Sequence, residues 1–573
     1  MLNDAHPGFG EAPAPILAGV PGDVLPRIGR AALCDMLRRL PPDQLDKALR
    51  NKLVPVVDLP GVVLHVACGK PAFDKAKSRR LSVVACCEAE DLLAAARATH
   101  GAFLLDQATL RLLRQRPAFS ASRVISGGQT ACVLLLLLVA AGSVLWLPKM
   151  ILLGGLALAG ALFFLSVMTM RALCLMPFPR TEVADCPPLP EAELPVYSVL
   201  VPLFRETTIL QQLIGAMTRL RYPAEKLDIK LILEEADMPM RLAVAALSLD
   251  SRFEVIVVPS GHPQTKPRAL NYALAFCRGD YVTIYDAEDV PDPDQLLKAA
   301  RRFAASPAKL ACLQAQLTFY NSDENWLSRQ FTAEYAVLFG LLLPALAAHG
   351  LPMPLGGTSN HFRAHVLREV GGWDPFNVTE DADLGVRLSR QGFGTAVLES
   401  FTHEEASATP GNWLQQRTRW LKGYLITWLV HMRQPVRLLK ELGTAGFWAV
   451  QVLTLAVFVS ALLHPLCLLL ILAIQFTGLH LTENAALPAM LLAGLSLTVM
   501  AAGYGVAMVL MRRALLGRGM LGWGFTVISV PGYWCLMSVA AWMALWQAVF
   551  RPFHWNKTAH GVSRQAPTLS LTP

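Results

Sequence analysis

Charged residues are scarce in this chain, and the common cofactor loops are missing from its polar part. Only 16% of the 573 residues are charged, whereas 53% are apolar. This composition is too apolar for an ordinary soluble enzyme and indicates membrane spans. The α/β stretch between residues 190 and 430 contains no G-x-G-x-x-G and no Walker sequence. A dinucleotide cofactor and ATP hydrolysis therefore lose support.

Cysteine usage and charge exclude further classes. The 11 cysteines form no C-x-x-C pair, only the adjacent Cys86-Cys87, which argues against a zinc site or a disulfide framework. A formal charge of +8 would suit binding to nucleic acid. However, Lys and Arg concentrate at the ends of apolar segments, as the positive-inside rule predicts for a membrane protein. We therefore expect a lipid bilayer as partner and no nucleic acid. The first 30 residues lack the apolar core of a signal peptide, so we expect a cytoplasmic N-terminus.

Residues 1–120 are predicted to form a small cytoplasmic α/β domain. Strand-like and helix-like runs alternate there: Val62–Ala67 and Leu81–Ala85 as strands, Glu90–Thr99 and Gln107–Gln115 as helices. The pattern resembles the N-terminal domain of type II secretion ATPases, which implies a cyclic dinucleotide or a regulatory protein as partner. The simpler alternative, a docking or stability module, has more support from a single sequence.

Apolar runs predict two membrane regions. Ala131–Leu147 and Met150–Met170 are each long enough to cross about 30 Å of hydrocarbon, and they form a transmembrane hairpin over residues 131–170. A second region, residues 447–550, holds three apolar segments. We expect Pro531-Gly532 to break the last of these into a bent or re-entrant element. The basic tail, residues 551–573, would then be cytoplasmic.

Strands and helices alternate over residues 190–430. The apolar runs Tyr197–Leu203, Leu227–Leu233 and Phe253–Val258 predict strands, with helix-like stretches between them. This order predicts a doubly wound α/β layer whose nucleotide crevice lies at the carboxyl ends of the strands.

Acidic residues follow two of these strands, in the crevice position. Glu235 and Asp237 follow the second strand, and Asp286, Glu288 and Asp289 follow a later one, Tyr281–Tyr285. Clustered carboxylates suit Mg²⁺ or Mn²⁺, which would neutralise a departing diphosphate. Lys266 and Asn271 could steady the same nucleotide. The alternative for any single acidic triplet is a solvated turn.

Two later motifs complete the candidate site. For sugar transfer, Asp381 of Thr379-Glu380-Asp381 would be the general base, although the threonine could simply cap a helix. Gln416, Arg419 and Trp420 share one helical face that can offer an amide, a cation and a stacking ring. The alternative there is an amphipathic interfacial helix whose aromatic residues form a membrane belt.

In this order, the motifs resemble those of the membrane-integrated family 2 glycosyltransferases, which include the synthases of cellulose, chitin and hyaluronan. The resemblance covers roughly residues 130–562. Bacterial exopolysaccharide synthases and proteins like the phage-receptor component NfrB are the most similar, on Gln314-Ala315-Gln316, Gly356–His361 and Trp555–Gly561. It implies a Rossmann-like GT-A domain inserted between transmembrane helices, a UDP-sugar donor, Mg²⁺ or Mn²⁺, inversion at the anomeric carbon, and processive synthesis coupled to export.

The resemblance also implies a role for each motif. Two departures leave choices open: Glu288 replaces the last acid of the usual D-x-D, so Asp289 could share the metal, and Ala236 interrupts the uridine motif. The implied roles are these: Glu235 or Asp237 for uridine, with Lys266 and Asp286 also at the donor; Asp286, Glu288 and Asp289 for metal; Asp381 with Glu380 for catalysis; Gln416, Arg419 and Trp420 for acceptor and diphosphate; Trp555, Lys557, Thr558 and His560 for a gating segment.

The sequence therefore predicts a multi-pass enzyme of the bacterial inner membrane that extends and exports a β-linked polysaccharide. One alternative is the transfer of a single sugar to a lipid acceptor. Another is a catalytically silent receptor or scaffold. Donor sugar and linkage cannot be read from residue types.

Overall fold

The computed structural model describes residues 25–56, 63–177, 186–466 and 487–553. The chain divides into two compact units, Met1–Ala108 with Tyr272–Arg278, and Thr109–Asn271 with Gly279–Pro573. The division falls inside helix α4 (Ala89–Gln115) rather than at residue 120. The predicted gating residues Trp555, Lys557, Thr558 and His560 lie outside the described residues.

The first unit contains a three-stranded sheet in the order β1-β2-β3, with β1–β2 antiparallel and β2–β3 parallel. Its core packs Leu53, Ala67 and Val83 against Ala72 and Ala76. The two predicted helices are one continuous helix, α4, because no Pro or Gly cluster interrupts the run between them. The elements are β1 (Leu53–Val56), β2 (Leu64–Cys68), β3 (Ser82–Cys87), α1 (Arg30–Arg38), α2 (Pro42–Asn51), α3 (Lys70–Ser78) and α4.

The second unit begins with the helical hairpin expected from the apolar runs. Helix α5 (Gly127–Trp146) starts at a capping box in which Ser126 accepts from the Gln129 amide while the Gln129 side chain accepts from the Ser126 amide. Pro148 then precedes α6 (Lys149–Leu173). Each helix extends beyond its apolar run by a few polar or basic residues at one or both ends.

An eight-stranded mixed sheet forms the centre of the second unit, in the order β6-β5-β4-β7-β10-β9-β11-β8. The first four strands are parallel, so their carboxyl ends share one edge. Strand β10 is antiparallel to both neighbours, β9 and β11 are parallel, and β8 is antiparallel to β11. The strands are β4 (Tyr197–Leu203), β5 (Leu227–Glu234), β6 (Phe253–Val258), β7 (Tyr281–Ile284), β8 (Val290–Pro291), β9 (Leu310–Phe319), β10 (Asn360–Arg363) and β11 (Gly394–Glu404).

Helices cover the sheet and carry the later motifs. The apolar core lies between the buried strands and the helices that follow them, with Val199, Leu213 and Phe303 among its members. The helices are α7 (Leu210–Thr218), α8 (Met238–Ala245), α9 (Lys266–Leu274), α10 (Gln295–Ala304), α11 (Trp326–Val337), α12 (Leu343–Ala348), α13 (Ala364–Glu369), α14 (Glu380–Arg390), α15 (Pro410–His431), α16 (Pro435–Val450), α17 (Leu487–Gly517), α18 (Gly524–Ile528) and α19 (Val530–Phe550).

Five helices in the described part of the chain are long and apolar enough to cross a membrane, judged by length and composition alone. One of them, Trp326–Ala348, was not expected from the sequence, and it packs on β9 and β11 of the sheet. It comprises α11, a π-helical turn (Leu338–Leu342) and α12. The five are Gly127–Trp146, Trp326–Ala348, Pro435–Leu466, Leu497–Gly517 and Val530–Phe550.

The last apolar segment is interrupted as expected, but the break lies two residues before Pro531-Gly532. The interruption is at Ser529, and α19 then runs unbroken from Val530 to Phe550. Pro531 occupies the first turn of α19, where a missing amide hydrogen costs nothing because no intrahelical partner exists there.

Candidate functional site

A cavity of about 830 Å³ opens at the carboxyl ends of the parallel strands. The predicted motif residues Asp286, Asp381 and Trp420 line one part of it. Its wall continues to Met500 and Trp534, which belong to the apolar helices α17 and α19. The volume lies within the range of about 300–1,000 Å³ that small-molecule sites use. One cavity therefore joins the motif residues to the membrane helices.

The acidic turn after β7 divides its side chains between two tasks. Asp286 and Glu288 line the cavity. Asp289 is 1% exposed, and its Oδ2 accepts from the backbone amide of Asp286 at 2.7 Å and from the Thr358 hydroxyl. Burial, followed by the charge of Asp286, raises the pKa of both Glu288 and Asp289. Asp289 thus stabilises the turn through these hydrogen bonds, while Asp286 and Glu288 line the cavity.

Two carboxylates at this edge fit a divalent cation without completing its shell. In the parts of the chain that the structure describes, no three His, Cys, Asp or Glu side chains are already arranged as a metal site. Mg²⁺ characteristically takes one or two protein carboxylates and completes its coordination with waters and substrate phosphates. Asp286 and Glu288 provide those two, and the buried Oδ1 of the neighbouring Asp289 has no hydrogen-bond partner among the described residues.

Lys266 joins the acidic turn to the loop before β10. Its ammonium donates to Asp286 and to the carbonyl oxygen of Gly357, the latter at 2.8 Å. Burial lowers the pKa of Lys266, but the charges of Asp286 and Glu380 outweigh burial and raise it above its ordinary value. A Cβ at Gly357 would lie 3.2 Å from Asp381 Oδ2. Four predicted site residues from three segments, Lys266, Asp286, Glu380 and Asp381, therefore converge here around the loop that carries Gly357.

Glu380 and Asp381 open helix α14 beside this cluster. Thr379 holds the N-cap position without a side-chain cap bond, so capping does not account for it. Burial, and next the charge of Asp381, raises the pKa of Glu380 to about 7. Burial also raises the pKa of Asp381, against the opposing effects of the Ala382 amide and Lys266. A raised pKa brings a carboxylate closer to the value at which a general base works best near neutral pH.

The structure places the predicted uridine acids away from the cavity wall. Glu235 is exposed and accepts from the Ser260 amide at 2.9 Å. Asp237 is buried, caps α8, and accepts from the Arg205 amide at 2.6 Å. The cavity is instead lined by Glu234, the last residue of β5, which was missed from the sequence. Its carboxylate accepts from buried Arg268 at 2.8 Å.

Helix α15 brings Gln416, Arg419 and Trp420 to the wall of the same cavity. Ser407 donates to Gln416 Oε1 at 3.2 Å. Trp420 stacks on Tyr335 with ring centroids 6.3 Å apart and an interplanar angle of 23°. The spacing of three and one residues along a helix therefore brings these three side chains to one cavity.

The aromatic residues of α15 do not form the membrane belt that the alternative reading required. Trp413 is 1% exposed, and its indole donates to the Tyr533 hydroxyl at 3.3 Å. Trp428 donates to Gln451 at 2.7 Å. These rings pack inside the protein because α15 lies along α19 and the π-helical turn Gln451–Ala456.

Arg417, inside the Gln416–Trp420 motif, was missed as a functional candidate. Its guanidinium donates to both carboxylate oxygens of Glu334, at 2.8 and 2.7 Å, and to the Tyr533 hydroxyl at 3.0 Å. It also lies 4.2 Å from the ring centroid of Phe331 and 4.7 Å from that of Trp420. The side chain thus ties α15 to α11 and α19. The sequence signal that could have revealed this pair is Glu334, a lone glutamate in an apolar helix, because such a charge needs a partner.

Behind α14, a buried network connects the helices that carry the motifs. Arg387 donates to Asp383 at 2.6 Å, and the other Asp383 oxygen lies 3.1 Å from His431 Nε2 on α15. Arg390 lies 3.1 Å from His431 Nδ1 and donates to Glu441 on α16 at 2.6 Å. Burial lowers the pKa of His431, despite the opposing effect of Asp383. The network fixes α14 and α15 relative to each other.

Helices α14 and α15 also meet through a glycine. A Cβ at Gly423 would lie 2.3 Å from Thr379 Cγ2 and 2.4 Å from its Oγ1. Only a residue without a side chain allows this approach. Gly423 lies one turn beyond Arg419, and Thr379 directly precedes Glu380.

Comparison with known proteins agrees with this geometry. Residues 281–553 match the model of glycosyl transferase family group 2. The chain carries a family 2 glycosyltransferase domain. Its mixed sheet, with parallel strands ending at the acidic turn, is the Rossmann-like GT-A arrangement of such domains.

The curated relatives match only parts of the chain. The probable glycosyltransferase YdaM of Bacillus subtilis is 26% identical over 40% of this chain and 56% of its own length. Beta-monoglucosyldiacylglycerol synthase of Synechocystis is 26% identical over 54% of this chain and 64% of its own. Cellulose synthase 2 of Novacetimonas hansenii is 28% identical over 44% of this chain and 16% of its own length. The chain thus spans less than two thirds of these relatives.

Among solved structures, the chain is similar to the mannosyltransferase PcManGT from Pyrobaculum calidifontis, in complex with GDP-Man and Mn²⁺. The TM-score is 0.44 and the identity 15%, over 70% of this chain and 98% of that one.

Proposed function

We propose that this glycosyltransferase extends a β-linked polysaccharide from a UDP-sugar and passes the product into the membrane region. The observation that supports this most is the single cavity, which runs from Asp286 and Asp381 past Trp420 to residues of α17 and α19. An acceptor held at Trp420 would have its far end directed along that cavity. The enzyme would reside in the bacterial inner membrane, with its sheet domain in the cytoplasm.

The proposed reaction is a displacement at the anomeric carbon of the donor. An acceptor hydroxyl oxygen forms the new bond to this carbon, the bond to the diphosphate breaks, and the configuration inverts. Asp381 takes the proton of the attacking hydroxyl, a role that the burial-raised pKa of Asp381 supports, and Glu380 is its neighbour in the catalytic pair. Arg419, which lines the same cavity, would bind the diphosphate. Mg²⁺ or Mn²⁺ held by Asp286 and Glu288 would neutralise charge on the departing diphosphate.

Glu234, Glu235 and Asp237 surround the end of β5, where we propose that the nucleotide base lies. Glu234 is the member of this group that lines the cavity, so we assign it a place beside the two residues expected from the sequence. Lys266 would hold Asp286 in position and add positive charge near the phosphates.

A second candidate function is the transfer of one sugar to a lipid. The relative named beta-monoglucosyldiacylglycerol synthase favours it, and the same cavity would admit a lipid acceptor from the membrane side. The length of the product distinguishes the two: a ladder or high-mass polymer supports synthesis of a polysaccharide, and a single labelled glycolipid supports the alternative.

The test begins with nucleotide release by the purified full chain in lipid nanodiscs, over a panel of UDP- and GDP-sugars with Mg²⁺ or Mn²⁺. Asp381→Asn should abolish incorporation of labelled sugar while leaving nucleotide binding intact. Asp323→Asn, which changes an exposed carboxylate on a loop, is the matched control. Unchanged incorporation by Asp381→Asn would remove the enzymatic assignment of that residue.

A further inference from the structure

Glu404 ends strand β11 at the edge of the acidic turn. In the antiparallel pairing of β11 with β8, Thr402 lies opposite Pro291 and His403 opposite Val290. The next residue along β11, Glu404, therefore comes to the level of Asp289. Glu404 lines the cavity, and it belongs to none of the motifs recognised in the sequence.

On its other side, Glu404 adjoins the aromatic wall of the cavity. It pairs with Phe319 of β9, and its carbonyl oxygen accepts from the Tyr320 amide at 3.1 Å. The Phe319 ring lies 4.6 Å from that of Tyr335, which in turn stacks on Trp420. Glu404 thus lies between the carboxylates proposed for the diphosphate and the ring proposed for the acceptor. The transferred sugar must occupy this interval.

One oxygen of the Glu404 carboxylate makes no hydrogen bond within the described part of the chain that would stabilise the fold. Its Oε1 is buried and has no hydrogen-bond partner among the described residues. The nearby cations are committed elsewhere, Lys266 to Asp286 and Arg417 to Glu334. Burial, followed by the charge of Asp289, raises the pKa of Glu404. A buried oxygen without a partner is costly, so a ligand that donates to it gains affinity.

Sugar hydroxyl groups are suitable donors for such an oxygen. We propose that Glu404 accepts hydrogen bonds from hydroxyl groups of the transferred sugar, and that the donor sugar is therefore neutral rather than a uronic acid. This inference rests on the proposed function and adds the chemical class of the donor. A uronate would bring a further negative charge beside Asp286, Glu288 and Glu404, while of the described cations in the cavity wall Lys266 and Arg417 already pair with carboxylates and Arg419 is assigned to the diphosphate.

The experiment compares donors in the full chain in nanodiscs at saturating Mn²⁺. The neutral donors are UDP-glucose, UDP-galactose and UDP-N-acetylglucosamine, and the charged donor is UDP-glucuronic acid. Glu404→Gln preserves shape and removes charge. Glu399→Gln, an exposed position on the same strand, is the matched control. The readouts are kcat/KM for each donor and the Mn²⁺ concentration that gives half-maximal rate.

Wild type should favour its best neutral donor over UDP-glucuronic acid by at least about ten-fold. Glu404→Gln should lower kcat/KM for the neutral donor by about ten- to a hundred-fold. The ratio of kcat/KM for the neutral donor to kcat/KM for UDP-glucuronic acid should also fall by about ten-fold in this variant. Glu399→Gln should have the same kcat/KM values as wild type. The Mn²⁺ concentration for half-maximal rate should be the same in Glu404→Gln as in wild type.

Three results would overturn the inference: a wild-type preference for the uronate, an unchanged donor preference in Glu404→Gln, or a raised Mn²⁺ requirement, which would make Glu404 a metal ligand instead. Each of these leaves the proposed function standing. Failure of the wild-type protein to use any nucleotide sugar would remove the proposed function, and this inference with it.

Discussion

Replacing Gly423 by alanine adds one methyl group where two motif-bearing helices touch. The new Cβ would lie 2.3 Å from Thr379 Cγ2, whereas ordinary contacts begin at 3.4 Å. Helices α14 and α15 must therefore separate by about 1 Å, since cores are close-packed and yield little. Asp381 moves with one helix, and Arg419 and Trp420 move with the other.

The two consequences of this substitution differ in size. Overpacking costs about 1–3 kcal/mol, but alanine regains about 1 kcal/mol in a helix interior relative to glycine. Net stability should fall by only about 0–2 kcal/mol. A displacement of about 1 Å between reacting groups costs about a hundred-fold in rate. We therefore expect a folded protein with kcat/KM lowered by about two orders of magnitude.

The assay is the initial rate of nucleotide release with the donor that wild type uses, together with a melting curve in the same nanodiscs. Gly411→Ala is the control, because it lies in the same helix and its Cβ would meet nothing within 4 Å. Wild-type activity in Gly423→Ala would refute the close approach of α14 and α15, and with it the placement of Asp381 opposite Arg419.

Three further predictions concern other contacts. Arg417→Met and Glu334→Gln should each lower thermal stability, and the double variant should lose less than their sum, with a coupling of about 2 kcal/mol; additive losses would contradict the pairing. Because burial keeps His431 neutral, the unfolded chain binds more protons below about pH 6.5, so melting temperature should fall as pH drops from 7.5 to 5.5. His431→Asn should flatten that profile, and an equal slope would show that burial does not keep His431 neutral in the folded protein. Glu288→Gln should raise the Mn²⁺ concentration for half-maximal rate at least ten-fold, about 1.4 kcal/mol; an unchanged requirement would exclude it as a ligand.

The parallel strands of the second unit are predictable because they are continuous apolar runs, of which β4 and β5 are buried on both faces. Tyr197–Leu203 and Phe253–Val258 have the same bounds in the sequence-based prediction and in the structure. Once these strands are parallel, their carboxyl ends share an edge, so the acids that follow them gather in one place. Hydrophobic runs and motif order therefore suffice for the general location of the site.

Finer assignments depend on register and on distant partners. Strand β5 includes Glu234, one residue beyond the predicted end, and side chains alternate between faces along a strand. The residue at the cavity is therefore Glu234, next to the expected Glu235. The pairing of Arg417 with Glu334 joins residues 83 positions apart. No local pattern in the sequence reveals such a pair.

The length of the cavity has an electrical consequence. If α17 and α19 span the bilayer, the end of the cavity near Trp534 lies within the transmembrane field. The free energy of a monovalent ion that crosses this field changes by about 2.3 kcal/mol per 100 mV. An open, water-filled path would therefore let ions flow and discharge the membrane. The hydrogen-bonded cluster of Glu334, Arg417 and Tyr533 forms part of the cavity wall and joins helices α11, α15 and α19. Its weakening would then show first as ion leakage, which conductance across a planar bilayer can measure before any sugar is supplied.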